Sequence, residues 1–132
     1  VPGGSNLAAG INRAHRGDTV LVKPGVYREH DLRIDKRIIM MGEKYPVIDG
    51  ENKYELFMVT ADSVIISGLQ IQSTGKSSMK DMAGIKILNA GNVTISGNRI
   101  LNTTYGVYLQ NAARCYILNN TIHSNSVNEL NS

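Results

Sequence analysis

Gly84-Ile85-Lys86-Ile87-Leu88-Asn89-Ala90-Gly91-Asn92-Val93-Thr94-Ile95-Ser96-Gly97-Asn98-Arg99-Ile100 lies over Gly106-Val107-Tyr108-Leu109-Gln110-Asn111-Ala112-Ala113-Arg114-Cys115-Tyr116-Ile117-Leu118-Asn119-Asn120-Thr121-Ile122 without a gap, at an offset of 22 residues. Small residues, asparagines and alternating apolar positions all fall in register. A third copy lies upstream at an offset of 29, where Leu56-Phe57-Met58, Val64-Ile65-Ile66 and Leu69-Gln70-Ile71 match the same three segments. The seven extra residues fall between Ser73 and Ala83, as one loop inserted into one turn.

Each copy holds three short alternating runs broken by Asn, Gly and Ser, which read as three strands and three corners. A fixed period of about 20 to 25 residues with several strands per repeat is the pattern of a parallel β-solenoid, whose coils bury an apolar face only by stacking. The reading therefore points Ile85, Ile87, Val93, Ile95 and Ile100 inward over Val107, Leu109, Cys115, Ile117 and Ile122. Asn89 over Asn111, and Asn98 over Asn120, fall where the chain must turn; asparagine bonds nearby main chain and tolerates a left-handed backbone.

Upstream, Ser5 is placed as the cap of a short helix carrying Leu7, Ile11 and Ala14 on one face and ending at Gly17. Such a helix would cover the first apolar layer of the solenoid. Strands follow at 19–22, 26–27, 32–34, 37–41 and 47–48. One domain results: a cap over 1–17, irregular first coils over 18–54, regular coils over 55–127 with an inserted loop at 74–83, and a connection at 128–132 leading to further coils. The all-β class follows, as a right-handed parallel β-helix of about 22 residues per coil.

Composition narrows the functions. A formal charge of +3 without Lys/Arg runs, and a single Phe, do not point to nucleic acid. No apolar run approaches the roughly 20 residues that span a bilayer. The lone cysteine, Cys115, falls on an inward position and reads as a small buried hydrophobe. The Val1-Pro2 opening is compatible with a trimmed secreted chain.

Gly17-Asp18-Thr19-Val20-Leu21-Val22-Lys23-Pro24-Gly25-Val26-Tyr27-Arg28-Glu29, followed by Ile38-Ile39-Met40-Met41-Gly42 and Pro46-Val47-Ile48-Asp49-Gly50, resembles the opening of pectin-lyase-like right-handed β-helices. Within that superfamily the Asn92-to-Ile100 repeat resembles the amino-terminal part of the NosD-like nitrous oxide reductase maturation proteins. The resemblance implies a periplasmic protein that assists copper-site assembly and works with nitrous oxide reductase and an ABC-type ATPase and permease.

Sugar-cleaving β-helices need clustered carboxylates, either as acid and base or to hold calcium. Here no Asp or Glu occurs between Asp81 and Glu129, and Asp31, Asp35, Asp49 and Asp81 are dispersed, as turn or surface groups. No catalytic residue is assigned. For copper, thioethers suit Cu(I). Met40, Met41 and Met58 read as strand core, with Met58 inward, and His15, His30 and His123 as surface groups. Met79 and Met82 stand in the polar insert, either as half of a Cu(I) site or as anchors docking the loop.

Phe57, Lys86 and Tyr108 are expected to stack outward in one row, about 4.8 Å apart per coil. Ile65 and Tyr116 would extend it on the next face, as a docking strip for a protein partner or a sugar, or as a purely structural cation-π row. The leading reading is a non-enzymatic scaffold. A polysaccharide lyase or hydrolase, and a carbohydrate-binding or structural module, are the alternatives. End-to-end self-association through the carboxyl-terminal coil is also expected.

Overall fold

The structure is a computed structural model that describes residues 6–75 and 82–124. In chain order the elements are α1 (Leu7–Arg13), β1 (Thr19–Val22), β2 (Val26–Tyr27), β3 (Leu32–Ile34), β4 (Ile39–Gly42), β5 (Val47–Asp49), β6 (Phe57–Val59), β7 (Ile65–Ser67), β8 (Gln70–Gln72), β9 (Ala83–Leu88), β10 (Thr94–Ser96), β11 (Arg99–Thr103), β12 (Tyr105–Gln110), β13 (Tyr116–Leu118) and β14 (Thr121–Ser124). Every third strand returns to the same sheet. The first sheet runs β1-β4-β7-β10-β13, the second β2-β5-β8-β11-β14 and the third β3-β6-β9-β12.

All these pairings are parallel. Each strand thus hydrogen-bonds to the coil before and the coil after it, and the chain climbs as a solenoid of four coils, with β13 and β14 beginning the next. Pairing confirms the 22-residue offset in the last coils, with Thr94 beside Tyr116 and Arg99 beside Thr121. In the first coils it varies: Thr19 pairs with Ile39, Val26 with Val47 and Leu32 with Phe57.

The core is a column of inward side chains. Val22, Ile34, Met40, Ile48, Val59, Ile66, Ile71, Ile85, Ile87, Val93, Ile95, Ile100 and Val107 are fully buried. Leu109, Cys115, Ile117 and Ile122 occupy the same inward positions one rung later and are only partly buried. Layer on layer, a rung is dry only when another covers it.

The corners show why these residue types recur. Gly68, Gly97 and Asn119 follow the ends of β7, β10 and β13, and all three have positive φ, between 56° and 75°. Asn89 and Asn111 likewise adopt φ 52°, and the Asn111 amide donates to Asn89 Oδ1 at 2.8 Å. Asn98 and Asn120 serve differently, because their backbones are not left-handed. The Asn98 amide turns inward, donating to Ile66 O at 3.0 Å while its Oδ1 accepts Leu69 N–H at 3.0 Å.

The structure corrects two expectations. The helix spans Leu7–Arg13 and stops short of Gly17. No side chain at Asn6 caps it; the Glu29 carboxylate instead accepts the N–H groups of Leu7 and Ala8 at 2.7 and 2.9 Å. Ser5 lies outside the described residues. Carboxylate oxygens suit these orphan donors at a helix start better than a neutral hydroxyl. Leu7 and Ile11 are buried beneath the helix against the first coil.

The second correction is one of register. Phe57 pairs with Ile85 and Met58 with Lys86, an offset of 28 where the neighbouring strand β7 keeps 29. The corner from Val59 to Val64 is one residue shorter than that from Ile87 to Val93. A slip of one residue exchanges the two faces of a strand. Phe57 is therefore core, 1% exposed, and Met58 points outward, half-buried. Met41, expected in the core, lies on the outer face of β4 at 46% exposure, while Met40 is buried as expected.

Candidate functional site

With Phe57 in the core, the other residues of the expected docking strip divide between two outer faces. On the third sheet, pairing places Arg33, Met58, Lys86 and Tyr108 in one outward row. Lys86 lies 5.6 Å from the centre of the Tyr108 ring and donates to Glu55 Oε1 at 3.0 Å. The Lys86 and Glu55 side chains are 12% and 7% exposed. This ion pair closes off the cation that the row offers, since each charge is desolvated and needs the other.

Glu55 was not legible as a site residue from sequence, because its partner is 31 positions away. The only local signal was a carboxylate directly before an apolar strand. Beneath the pair, Asp31, Arg33, Glu55, Leu56, Phe57 and Met58 line a cavity of about 190 Å³. His30 stacks on Tyr54 with ring centres 3.5 Å apart, and its Nδ1 lies 2.7 Å from Asp31 Oδ2. Both carboxylates near the cleft are thus already held, Glu55 by Lys86 and Asp31 by His30. What the cleft offers a ligand is the Arg33 guanidinium and the Met58 side chain.

On the first sheet two outward columns form. Ile39, Ile65, Thr94 and Tyr116 follow one another in one, and Leu21, Met41, Ser67, Ser96 and Leu118 in the other. Met41, Tyr116 (53%) and Leu118 (50%) are exposed, and Ile39 and Ile65 are partly so. A cavity of about 210 Å³ opens beside them, lined by Gly17, Arg37, Ile38, Ile39, Ser63 and Ile65. Leu21, Ile39, Met41 and Ile65 adjoin one another, with Thr94, Ser67 and Ser96 separating them from Tyr116 and Leu118; apolar side chains gathered on an outer sheet face mark a contact surface.

Met79 lies outside the described residues. Met82 is half-buried and folded against the strand end, its sulfur so close to Gly75 that a Cβ there would come within 2.7 Å of it. A copper site needs soft donors on one face, yet Met41 stands on the first sheet, Met58 on the third and Met82 at the insert. Among the described residues no group of three or more His, Cys, Asp or Glu gathers to hold a metal. The described donors do not fit a copper centre.

Asp62 shows what the scattered acids do. Its Oδ1 accepts Gly91 N–H at 2.8 Å across coils, and Asp49 Oδ1 accepts Glu51 N–H at 2.8 Å within a turn. Both hold corners. No described helix is long and apolar enough to cross a membrane.

Residues 36–130 match the family model described as the right handed beta helix region. No curated protein and no solved structure matches the chain.

Proposed function

Because the chain belongs to the right-handed β-helix family, we propose that it is a non-enzymatic scaffold that docks a partner protein on the outer face of its first sheet. The observation that carries this reading is the set of outward apolar side chains there, Leu21, Ile39, Met41 and Ile65 on the first three coils and Tyr116 and Leu118 two coils further on. Burying one such side chain contributes about 1.5–3 kcal/mol, so a few of them hold a partner. The parallel ladder beneath them keeps the columns straight and fixed. Presenting a long stiff surface is how solenoids bind.

The finer reading names the partner. The sequence resemblance to NosD-like proteins supports nitrous oxide reductase, in the periplasm, during copper-site assembly alongside an ABC-type ATPase and permease. A scaffold that positions its partner needs no copper of its own, which accords with the dispersed methionines. Purified apo nitrous oxide reductase, titrated in a calorimeter against this chain and against Met41→Glu/Ile65→Asp, tests it. Binding by the parent and at least tenfold loss in the variant, with unchanged circular dichroism, is the expected result. Equal binding by both would remove the first sheet as the docking face, and no binding by either would remove the named partner.

A second reading, a carbohydrate-binding module, is favoured by one observation: Arg33 and Tyr108 share the outward row that borders the cleft on the third sheet. Glycan binding lost on Tyr108→Ala, with apo reductase ignored, would put it first.

A further inference from the structure

The apolar face of the first sheet runs into a charged corner. Arg16, Asp35, Lys36, Arg37, Ala61 and Asp62 line a groove of about 360 Å³ that shares Arg37 with the cavity beside Ile39 and Ile65. The chain folds this way because Gly17, at φ 92°, turns from the helix into β1 and donates its N–H to Arg37 O at 2.7 Å. That bond brings residue 16, from the helix exit, beside coil two.

Which charges are free decides what the groove accepts. Lys36 Nζ is committed to Asn12 O at 3.0 Å, the carbonyl end of the helix. Asp62 is committed to Gly91 N–H at 2.8 Å. Asp18, next to Gly17, is turned to His15 N–H at 2.8 Å. Among the described residues the guanidinium groups of Arg16 and Arg37 make no hydrogen bond or ion pair, and of the lining carboxylates Asp35 alone is likewise uncommitted. The free charge of the groove is positive, and it is carried by guanidinium groups, whose planar fork matches a carboxylate.

We propose that this corner and the adjoining Ile39/Ile65 surface together dock an acidic segment of a partner protein, one that carries carboxylates beside apolar side chains. Arg16 and Arg37 take the carboxylates and Ile39 and Ile65 take the apolar side chains. The inference rests on the first sheet being the docking face and adds the chemistry of what docks there. Charge complementarity at such a rim selects the partner and orients it, while the apolar part holds it.

The probe is a fluorescent synthetic peptide of two adjacent glutamates followed by two leucines, read by anisotropy against the whole chain. Arg16→Glu/Arg37→Glu is expected to weaken binding by about tenfold or more, which corresponds to roughly 1.4 kcal/mol. Ile65→Asp is expected to weaken it comparably, and Arg28→Glu, an exposed position just after β2, to leave it unchanged. Affinity should fall as salt rises from about 50 mM to about 500 mM, where the screening length shrinks to a few ångströms. A peptide with lysines in place of the glutamates should bind the Arg16→Glu/Arg37→Glu chain better than the parent.

Weakening by Ile65→Asp but not by the arginine reversal would overturn the acidic partner and leave the docking face standing. Weakening by the reversal alone would overturn the joint site and count against the docking face. Absence of peptide binding by the parent overturns the proposal. So does arginine-dependent binding to phosphatidylglycerol vesicles in preference to the peptide, which would make the corner a membrane contact.

Discussion

Asn98 and Asn120 are the same residue on successive rungs, yet Asn98 is buried and Asn120 half-open. Asn98 is clamped from both sides: its Oδ1 takes Leu69 N–H from the rung before, and its own N–H goes to Asn120 Oδ1 at 2.9 Å on the rung after. Asn120 donates to Ile95 O at 2.8 Å and accepts from Asn98, so both ends of its amide reach back to the preceding coil. Identical sequence in a solenoid acquires its energy from its neighbours, because each rung contacts only the rungs beside it. The same contrast separates Ile95 from Ile117 and Val93 from Cys115, fully buried in one coil and partly so in the next.

Covered and uncovered positions can be set against one another by mutation. The largest effect is expected within one strand, where Phe57→Ala should cost about 3–5 kcal/mol and Met58→Ala less than about 1 kcal/mol in urea unfolding. Equal costs would mean that β6 holds the other register. Next come two lysines. Lys86→Met should cost about 3 kcal/mol by removing a buried ion-pair partner of the Glu55 carboxylate, whereas Lys23→Met, breaking the exposed pair with Glu43 at 3.1 Å, should cost about 0–1 kcal/mol. A cost at Lys86 no larger than at Lys23 would show that water reaches the Glu55 pair.

The smallest contrast is the asparagine ladder itself. Asn98→Ala should cost about 2 kcal/mol, since Leu69 N–H is left without its side-chain acceptor inside the core, and Asn120→Ala about half as much. If Asn120→Ala cost as much as Asn98→Ala, a further rung would be covering it in solution, and the difference between the two rungs would vanish.

Legibility followed the repeat. Ile85, Ile87, Val93, Ile95 and Ile100 were placed inward by period alone and are inward, because alternation within a strand and stacking between coils are both properties of spacing. Lys86 beside Tyr108 was legible for the same reason. Phe57 was not: an alignment carried across the corner at 60–63 misses the deleted residue, and nothing in the alternation of Leu56-Phe57-Met58 marks which face is which. Met41 was misplaced because a methionine after Ile38-Ile39-Met40 extends an apolar run on both faces of its strand. Of the candidate sites, the sequence showed the outward residues but not their partners: Glu55 with Lys86, or Arg16 beside Arg37, are pairs that only the coiling brings together.

The sequence by itself determined a parallel solenoid, its three strands per coil, its long insert before β9 and the turn asparagines, since each is a consequence of residue order and period. Only the tertiary structure decided which side of β6 is core, that Glu29 rather than the Asn6 side chain accepts the first N–H groups of α1, and that the outer apolar side chains of the first sheet meet a corner of free arginines. Corner lengths set those outcomes. A single residue more or less at a turn rotates everything after it, and that rotation is fixed by how the next coil packs on the last.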